Sequence, residues 1–215
     1  MTTTLSSYLV TGMTSSSEAS ATTTVTITTT EFSSPFHPSP VALMTTSSNL
    51  SLQLNLNNSI VQNGNNVSLQ LKMSNLLSVA NSIPSNSSWT IPGLVWPPPN
   101  CNHVLYPIGL AVFKGTYTQG NIRNATYLHL WNTGTTFCPS LGEVGAWVFQ
   151  PSSDIASSGI TSDTHLETNF SAGGYWTGGD NFGNGATYSR FGPGPYTVAA
   201  GDEWGDLLLL TFQVV

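Results

Sequence analysis

The clearest pattern in the chain is strict alternation over two eight-residue runs. In NLSLQLNL, Leu50, Leu52, Leu54 and Leu56 alternate with Asn49, Ser51, Gln53 and Asn55; in NVSLQLKM, Val67, Leu69, Leu71 and Met73 alternate with Asn66, Ser68, Gln70 and Lys72. Successive side chains of a strand point to opposite faces, so each run predicts a strand with one dry and one wet face. Asn63-Gly64 between them is a turn dipeptide, and together they predict an antiparallel hairpin. The ending, PYTVAAGDEWGDLLLLTFQVV, reads as strand, Gly-Asp turn, strand. Here Leu208, Leu210, Phe212 and Val214 share one face, and Leu207, Leu209 and Val215 the other. A strand apolar on both faces belongs inside a sheet system, which predicts a buried C-terminus.

The first thirty residues have strand-like ends and a soft middle. Leu5, Leu9 and Met13 fall on one face of an extended chain, Tyr8 and Val10 on the other; Thr14 to Ala21 offers nothing to bury; Val25 and Ile27 sit among threonines. A short apolar strand on a leash is either a frayed terminus or a strand meant for another molecule's sheet. Residues 33–48, with three prolines, read as a connection. Leu76, Leu77 and Val79 suggest a short strand or helical turn. HVLYPIGLAVFKG is an apolar strand that Pro107 places at an edge or splits, ATYLHLW a strand covered on both faces, and EVGAWVFQ a buried strand. Between Pro151 and Pro195, Gly, Ser, Thr and Asn surround scattered aromatics whose strands the pattern does not place. No ten residues show a capped helical period, so the chain is expected to be an all-β sandwich. Residues 1–21 form the detachable strand and its linker and 22–215 one β-sandwich domain; whether the donor segment is 3–13 or 22–30 stays open.

Charge narrows the function. Only 7% of the 215 residues are Asp, Glu, Lys or Arg, against a usual ~25%. The four cations are Lys72, Lys114, Arg123 and Arg190, which excludes the basic patch of a nucleic-acid binder and a polybasic membrane segment. With few carboxylates there are few salt bridges to lose in acid, so the composition suits an acidic exterior. Sugar is the candidate for surface solvation: the acceptor pattern N-x-[ST] occurs at Asn49, Asn57, Asn66, Asn86, Asn124 and Asn169. The two cysteines, Cys101 and Cys138, read as one disulfide in an oxidising compartment. No signal-peptide core and no apolar run of membrane-spanning length is visible, so a secretion signal is expected to lie outside this numbering.

Catalytic patterns are absent: no nucleophile elbow, metal-protease helix, phosphate loop or dinucleotide fingerprint. No metal site and no cofactor beyond N-linked glycans is expected. His129 reads as structural. His165 and Glu167 share a face in THLET. Asp202, Glu203 and Asp206 around Trp204 make the densest acidic cluster, read first as a hairpin turn and second as a cation site. GGYWTGGDNFGNG, with Tyr175 and Trp176, reads first as a packing corner and second as a sugar-binding loop. Lys114, ending an apolar strand, is the one candidate for an isopeptide crosslink.

A sandwich with a detachable N-terminal strand, a buried C-terminal strand and six sequons looks like a pilin joined by donor-strand complementation. In Thr2 to Val10 and in YTVAAGDEWGDLLLLTFQVV the chain resembles the thread filament subunits of thermoacidophilic archaea, with an architecture similar to type I pilins. The resemblance implies an incomplete immunoglobulin-like, pilin-like β-sandwich. It implies a non-enzymatic, N-glycosylated subunit of an extracellular cell-surface filament, polymerising head-to-tail with copies of itself and serving adhesion between cells or to surfaces. Leu5, Tyr8, Leu9, Val10 and Met13 would be the donor-strand residues. The competing class is a monomeric surface adhesin or carbohydrate-binding β-sandwich.

Overall fold

The computed structural model describes residues 25–26, 40–86, 88–91, 94, 106–131, 145–151, 155–158, 164–165, 167–178 and 185–215, the backbone alone at 25–26, 155–158, 164–165 and 167–168. The regular structure of the described residues is strand: β1 (Val25–Thr26), β2 (Val41–Thr45), β3 (Leu50–Leu56), β4 (Ile60–Val61), β5 (Val67–Asn75), β6 (Asn81–Pro84), β7 (Ile108–Lys114), β8 (Tyr127–Leu128), β9 (Ala146–Phe149), β10 (Ile155–Ser158), β11 (Thr164–His165), β12 (Glu167–Ala172), β13 (Gly174–Thr177), β14 (Thr187–Arg190), β15 (Gly194–Asp202) and β16 (Leu207–Val214). A 3-10 turn over Ile122–Asn124 is the one helical element among them. The fold is all-β.

Two five-stranded sheets dominate, in the orders β1-β2-β3-β5-β12 and β4-β16-β15-β7-β8; β11-β10-β9-β6 and β13-β14 form smaller sheets. The alternating runs form the predicted antiparallel pair, with Leu54 opposite Leu71 and Leu52 opposite Met73. Every second side chain of β3 and β5 is buried, and the residues between them are half-buried or exposed. The inner face of this sheet (Leu50, Leu52, Leu54, Leu56, Leu69, Leu71) and the inner face of the second (Leu110, Val112, Val198, Leu208, Phe212, Val214) join in one apolar cluster. The second sheet has a further cluster on its other side. There Ala111, Phe113, Ala199 and Leu207 are covered by Ile91, Leu94 and Ile122, packed with Trp89 and Tyr117. That cover is why β7, β15 and β16 are apolar at both parities.

Several expectations change. Residues 33–48 are not all connection, because VALMT forms β2 with Ala42 and Met44 buried and Leu43 exposed. A small inward residue beside a large outward one erases the alternation. Leu76 and Val79 are exposed and form no strand; Asn81–Pro84 does instead. Pro107 stands just before β7 and does not split it; β7 pairs with β15 along its length but with β8 only at Val112 and Phe113, so among the described residues its other side is an edge before Val112. ATYLHLW yields only the two residues of β8, and His129 beyond it is exposed. Asn49 sits not on β3 but in the turn before it, at φ +57, a left-handed conformation asparagine tolerates better than most residues. Between β3 and β5, β4 peels away to pair in parallel with the end of β16. Val214 is buried but Val215 is 49% exposed.

Candidate functional site

The candidate site is the outer edge of β16. On one side this strand pairs with β15 over its whole length, Gly194 opposite Val214 through Gly201 opposite Leu207. On the other side β4 meets only Gln213 and Val214. There the Gln213 N–H donates to the Ser59 carbonyl at 2.8 Å and the Val215 N–H to the Val61 carbonyl at 3.0 Å. Odd-numbered residues therefore turn their backbone groups away from β15, and the two-residue period of a strand assigns Leu207, Leu209 and Thr211 the same direction. The Leu207 carbonyl accepts a hydrogen bond from the Gln119 amide at 2.8 Å. Beside Leu209 and Thr211 no strand pairs among the described residues.

The packing is thin at the same place. Leu208 and Phe212 are buried, while Leu210 between them, on the same inward face, is only partly covered. Across the cluster lie Ala42 and Met44 of β2, which pairs with β3 on one side and, among the described residues, only with the two residues of β1 on the other, at Met44 and Leu43. An edge with open backbone groups above a half-covered leucine offers what an added strand uses: hydrogen bonds for direction and an apolar slot for side chains.

The head of β16 is held by buried carboxylates. Asp202 ends β15 completely buried, and its Oδ1 accepts from the backbone N–H of Trp204 at 3.0 Å and of Asp206 at 2.9 Å. Gly205 completes this turn at φ +103, where a side chain would be strained. Glu203 Oε1 accepts from the Trp147 indole at 2.9 Å and from the Asn86 N–H at 3.0 Å. The Trp204 indole donates to the Pro84 carbonyl at 2.8 Å, and the Thr90 hydroxyl to that of Gly205 at 2.6 Å. The hairpin tip thereby clamps the 84–90 segment to the end of both main strands.

Asp202 and Asp206 are within hydrogen-bonding reach of one another, and each leaves Oδ2 buried without a donor. Burial, then the charge of Asp206, raises the Asp202 carboxyl to about 7, against the lowering effect of the N–H groups of Asp206, Trp204 and Gly205. Burial also raises Asp206, offset in part by Asp202 and by the Ser47 backbone N–H. One proton held between the two carboxyls relieves both the repulsion and the unsatisfied oxygens.

All six sequon asparagines, Asn49, Asn57, Asn66, Asn86, Asn124 and Asn169, are exposed. The Ser88 hydroxyl of the Asn86 sequon donates to the Asn86 side-chain oxygen at 2.8 Å. Leu5, Tyr8, Leu9, Val10 and Met13 lie outside the described residues, as do Cys101 and Cys138. His165 and Glu167 fall in β11 and β12, strands of different sheets. Lys114 is exposed at the end of β7, away from the core an isopeptide crosslink needs. Tyr175 turns inward against Phe191, ring centroids 6.1 Å apart, and Trp176 turns to the other face. Among the described residues no three His, Cys, Asp or Glu side chains gather as a metal site, and no helix is long and apolar enough to cross a membrane.

The edge of β16 was half visible in sequence: its apolar parity showed that the strand is covered on both faces, but nothing local says how little of its second edge is paired. The acid pair was visible as a cluster and read as a turn, which it is; its burial depends on the Ser47 turn, distant in sequence. Comparison with protein families, with curated proteins and with solved structures finds no match for the chain.

Proposed function

We propose that this protein is the structural subunit of an extracellular glycosylated filament of the thread or pilus kind, assembled head-to-tail by strand exchange. In this reading the two main sheets are the layers of an incomplete pilin-like β-sandwich. The outer edge of β16 is the acceptor, and residues 3–13 of another copy are the added strand. The observation that carries the reading is the backbone edge at Leu209 and Thr211, unpaired among the described residues, beside the half-covered Leu210. Burying Leu5, Leu9 and Met13 at about 1.5–3 kcal/mol each supplies roughly 5–9 kcal/mol before the tail's ordering cost. A lasting joint therefore needs the Tyr8 and Val10 face covered as well. Such a contact does not close on itself, so it builds a fibre.

Glycans on the six exposed sequons would solvate a surface poor in charge, and Cys101 and Cys138 would form a disulfide in the same oxidising exterior. Adhesion between cells or to surfaces is the role such a filament would serve, without catalysis. Deleting residues 1–21 tests the joint. The truncated protein should stay folded and fail to polymerise, and a synthetic peptide of residues 3–13 should slow hydrogen exchange at Leu209 and Thr211. A truncated protein that still forms filaments, or a peptide that protects other strands, contradicts it. A monomeric adhesin has the half-exposed aromatic rings of β13 and β14 in its favour; it would keep its size and its ligand after the deletion.

A further inference from the structure

A strip of aromatic rings crosses the outer face of the small β13–β14 sheet. Trp176 stands opposite Tyr188 in the pairing of the two strands, ring centroids 5.3 Å apart and edge to face. On the other side Trp176 bridges to His129, whose ring lies 5.0 Å from that of Tyr127. Tyr188 is 44% exposed, and His129 is exposed as well. Rings in such a row present flat apolar faces with polar edges, the surface on which the C–H face of a sugar ring lies.

Two sequons bracket the strip. Asn124 is three residues before Tyr127. Asn66 is closer in space to the other end, on three observations. The Asn66 amide donates to the Ser171 hydroxyl at 3.2 Å, just before β13. Arg190, next but one to Tyr188 and on the same face of β14, donates from Nη1 to the Gly64 carbonyl at 2.6 Å, two residues before Asn66. A methyl group at Gly173 would collide with the Asn66 side-chain oxygen and would lie 3.4 Å from the Tyr188 hydroxyl. Glycine at 173 thus lets an exposed sequon asparagine reach the end of the ring strip. Asn66 also keeps a free amide hydrogen for Ser171 after one is replaced by sugar, since the primary amide has two.

We propose that the strip from Tyr188 to Trp176 is the bed of the N-linked glycan carried by Asn66, so that the chain's own sugar covers its own exposed rings. The proposal rests on glycosylation of the exposed sequons, as put forward above. It makes the Asn66 glycan part of the folded surface, a roof over the β13–β14 hairpin.

Peptide mapping of the protein from its native cells first reports whether Asn66 carries sugar. Thermal unfolding of Tyr188→Ala, Asn66→Gln and the double variant, all from the same cells, then reports the coupling. With Asn66 occupied, Y188A should lower Tm by about 2–4 °C in the glycosylated background and by less than half as much in the Asn66→Gln background. Amides of Thr187 to Arg190 should exchange faster once that sugar is absent. An occupied Asn66 with additive effects overturns the bed while leaving glycosylation intact. An unoccupied Asn66 overturns both at this site. Binding of free oligosaccharide by the Asn66→Gln protein, lost in Trp176→Ala, overturns the proposal in favour of a site for foreign sugar.

Discussion

The β3–β5 and β15–β16 hairpins have nearly the same size and opposite surroundings. In the first, leucines alternate with Ser, Gln and Asn, one face packs inward, and the other keeps a wet ladder in which the Gln53 amide donates to Asn55 at 3.0 Å. In the second, both faces are apolar and covered near the tip, where Asp202 and Glu203 are buried, while Thr197 is buried within β15 and Thr211 and Gln213 stay exposed farther along β16. The first hairpin is closed at both edges, by β2 and β12; the second is closed on the β15 side by β7 and, among the described residues, left largely open on the β16 side. Alternation along a strand reports how its faces are covered. It carries no information about its edges, and the edge is where a partner strand adds.

The contrast should be widest for Phe212→Ala. This ring stacks on Tyr196 at 5.1 Å and meets Phe191 edge-on at 5.7 Å. Its loss should cost about 3–5 kcal/mol in urea unfolding. A cost near 1 kcal/mol would mean that the two faces of the second sheet are less tightly joined.

Next comes pH. An Asp202 carboxyl raised from the ordinary 3.8 to about 7 binds its proton more tightly folded than unfolded. Its contribution is complete below pH ~4, falls as pH rises toward ~7, and is flat above, with ~4 kcal/mol as an upper bound. The groups facing the pair are the N–H groups of Trp204, Gly205, Asp206 and Ser47. Tm should therefore fall between pH 4 and 7, and Asp202→Asn should flatten that slope. An unchanged slope in the variant would place the dependence elsewhere.

A smaller effect is expected at Asn49, where φ is +57. In unglycosylated protein Asn49→Ala should cost roughly 1 kcal/mol and Asn49→Gly almost nothing; equal losses would mean that the side chain and not the backbone matters there. Smallest of all, Gln53→Ala on the wet face of β3 should stay within about 0.5 kcal/mol.

Legibility followed the same division. The buried faces of β3 and β5 and the strand-turn-strand order of β15 and β16 could be read from residue parity and the Gly-Asp turn, whereas the registers could not. β2 was hidden by Ala42 inward and Leu43 outward, and β8 was overextended because Leu130 is buried in the core without belonging to a strand. The short strands after Pro151 carry Gly, Ser and Thr, whose pattern is silent, and their pairing with β9 and β5 is set by partners far away in sequence. The sequons were legible, and their exposure agrees with the wet parity at Asn66; Asn49 owes its exposure to a turn. The nearness of Asn66 and Tyr188 around Gly173 could be seen only in three dimensions.

The strand-exchange joint is tested most directly by electron cryomicroscopy of the protein purified from its native cells. The expected result is a filament in which residues 3–13 of one subunit run alongside Leu207–Thr211 of the next, with Leu210 covered. Single particles without polymer, or a filament in which residues 3–13 rest on their own subunit and β16 stays open, would contradict it.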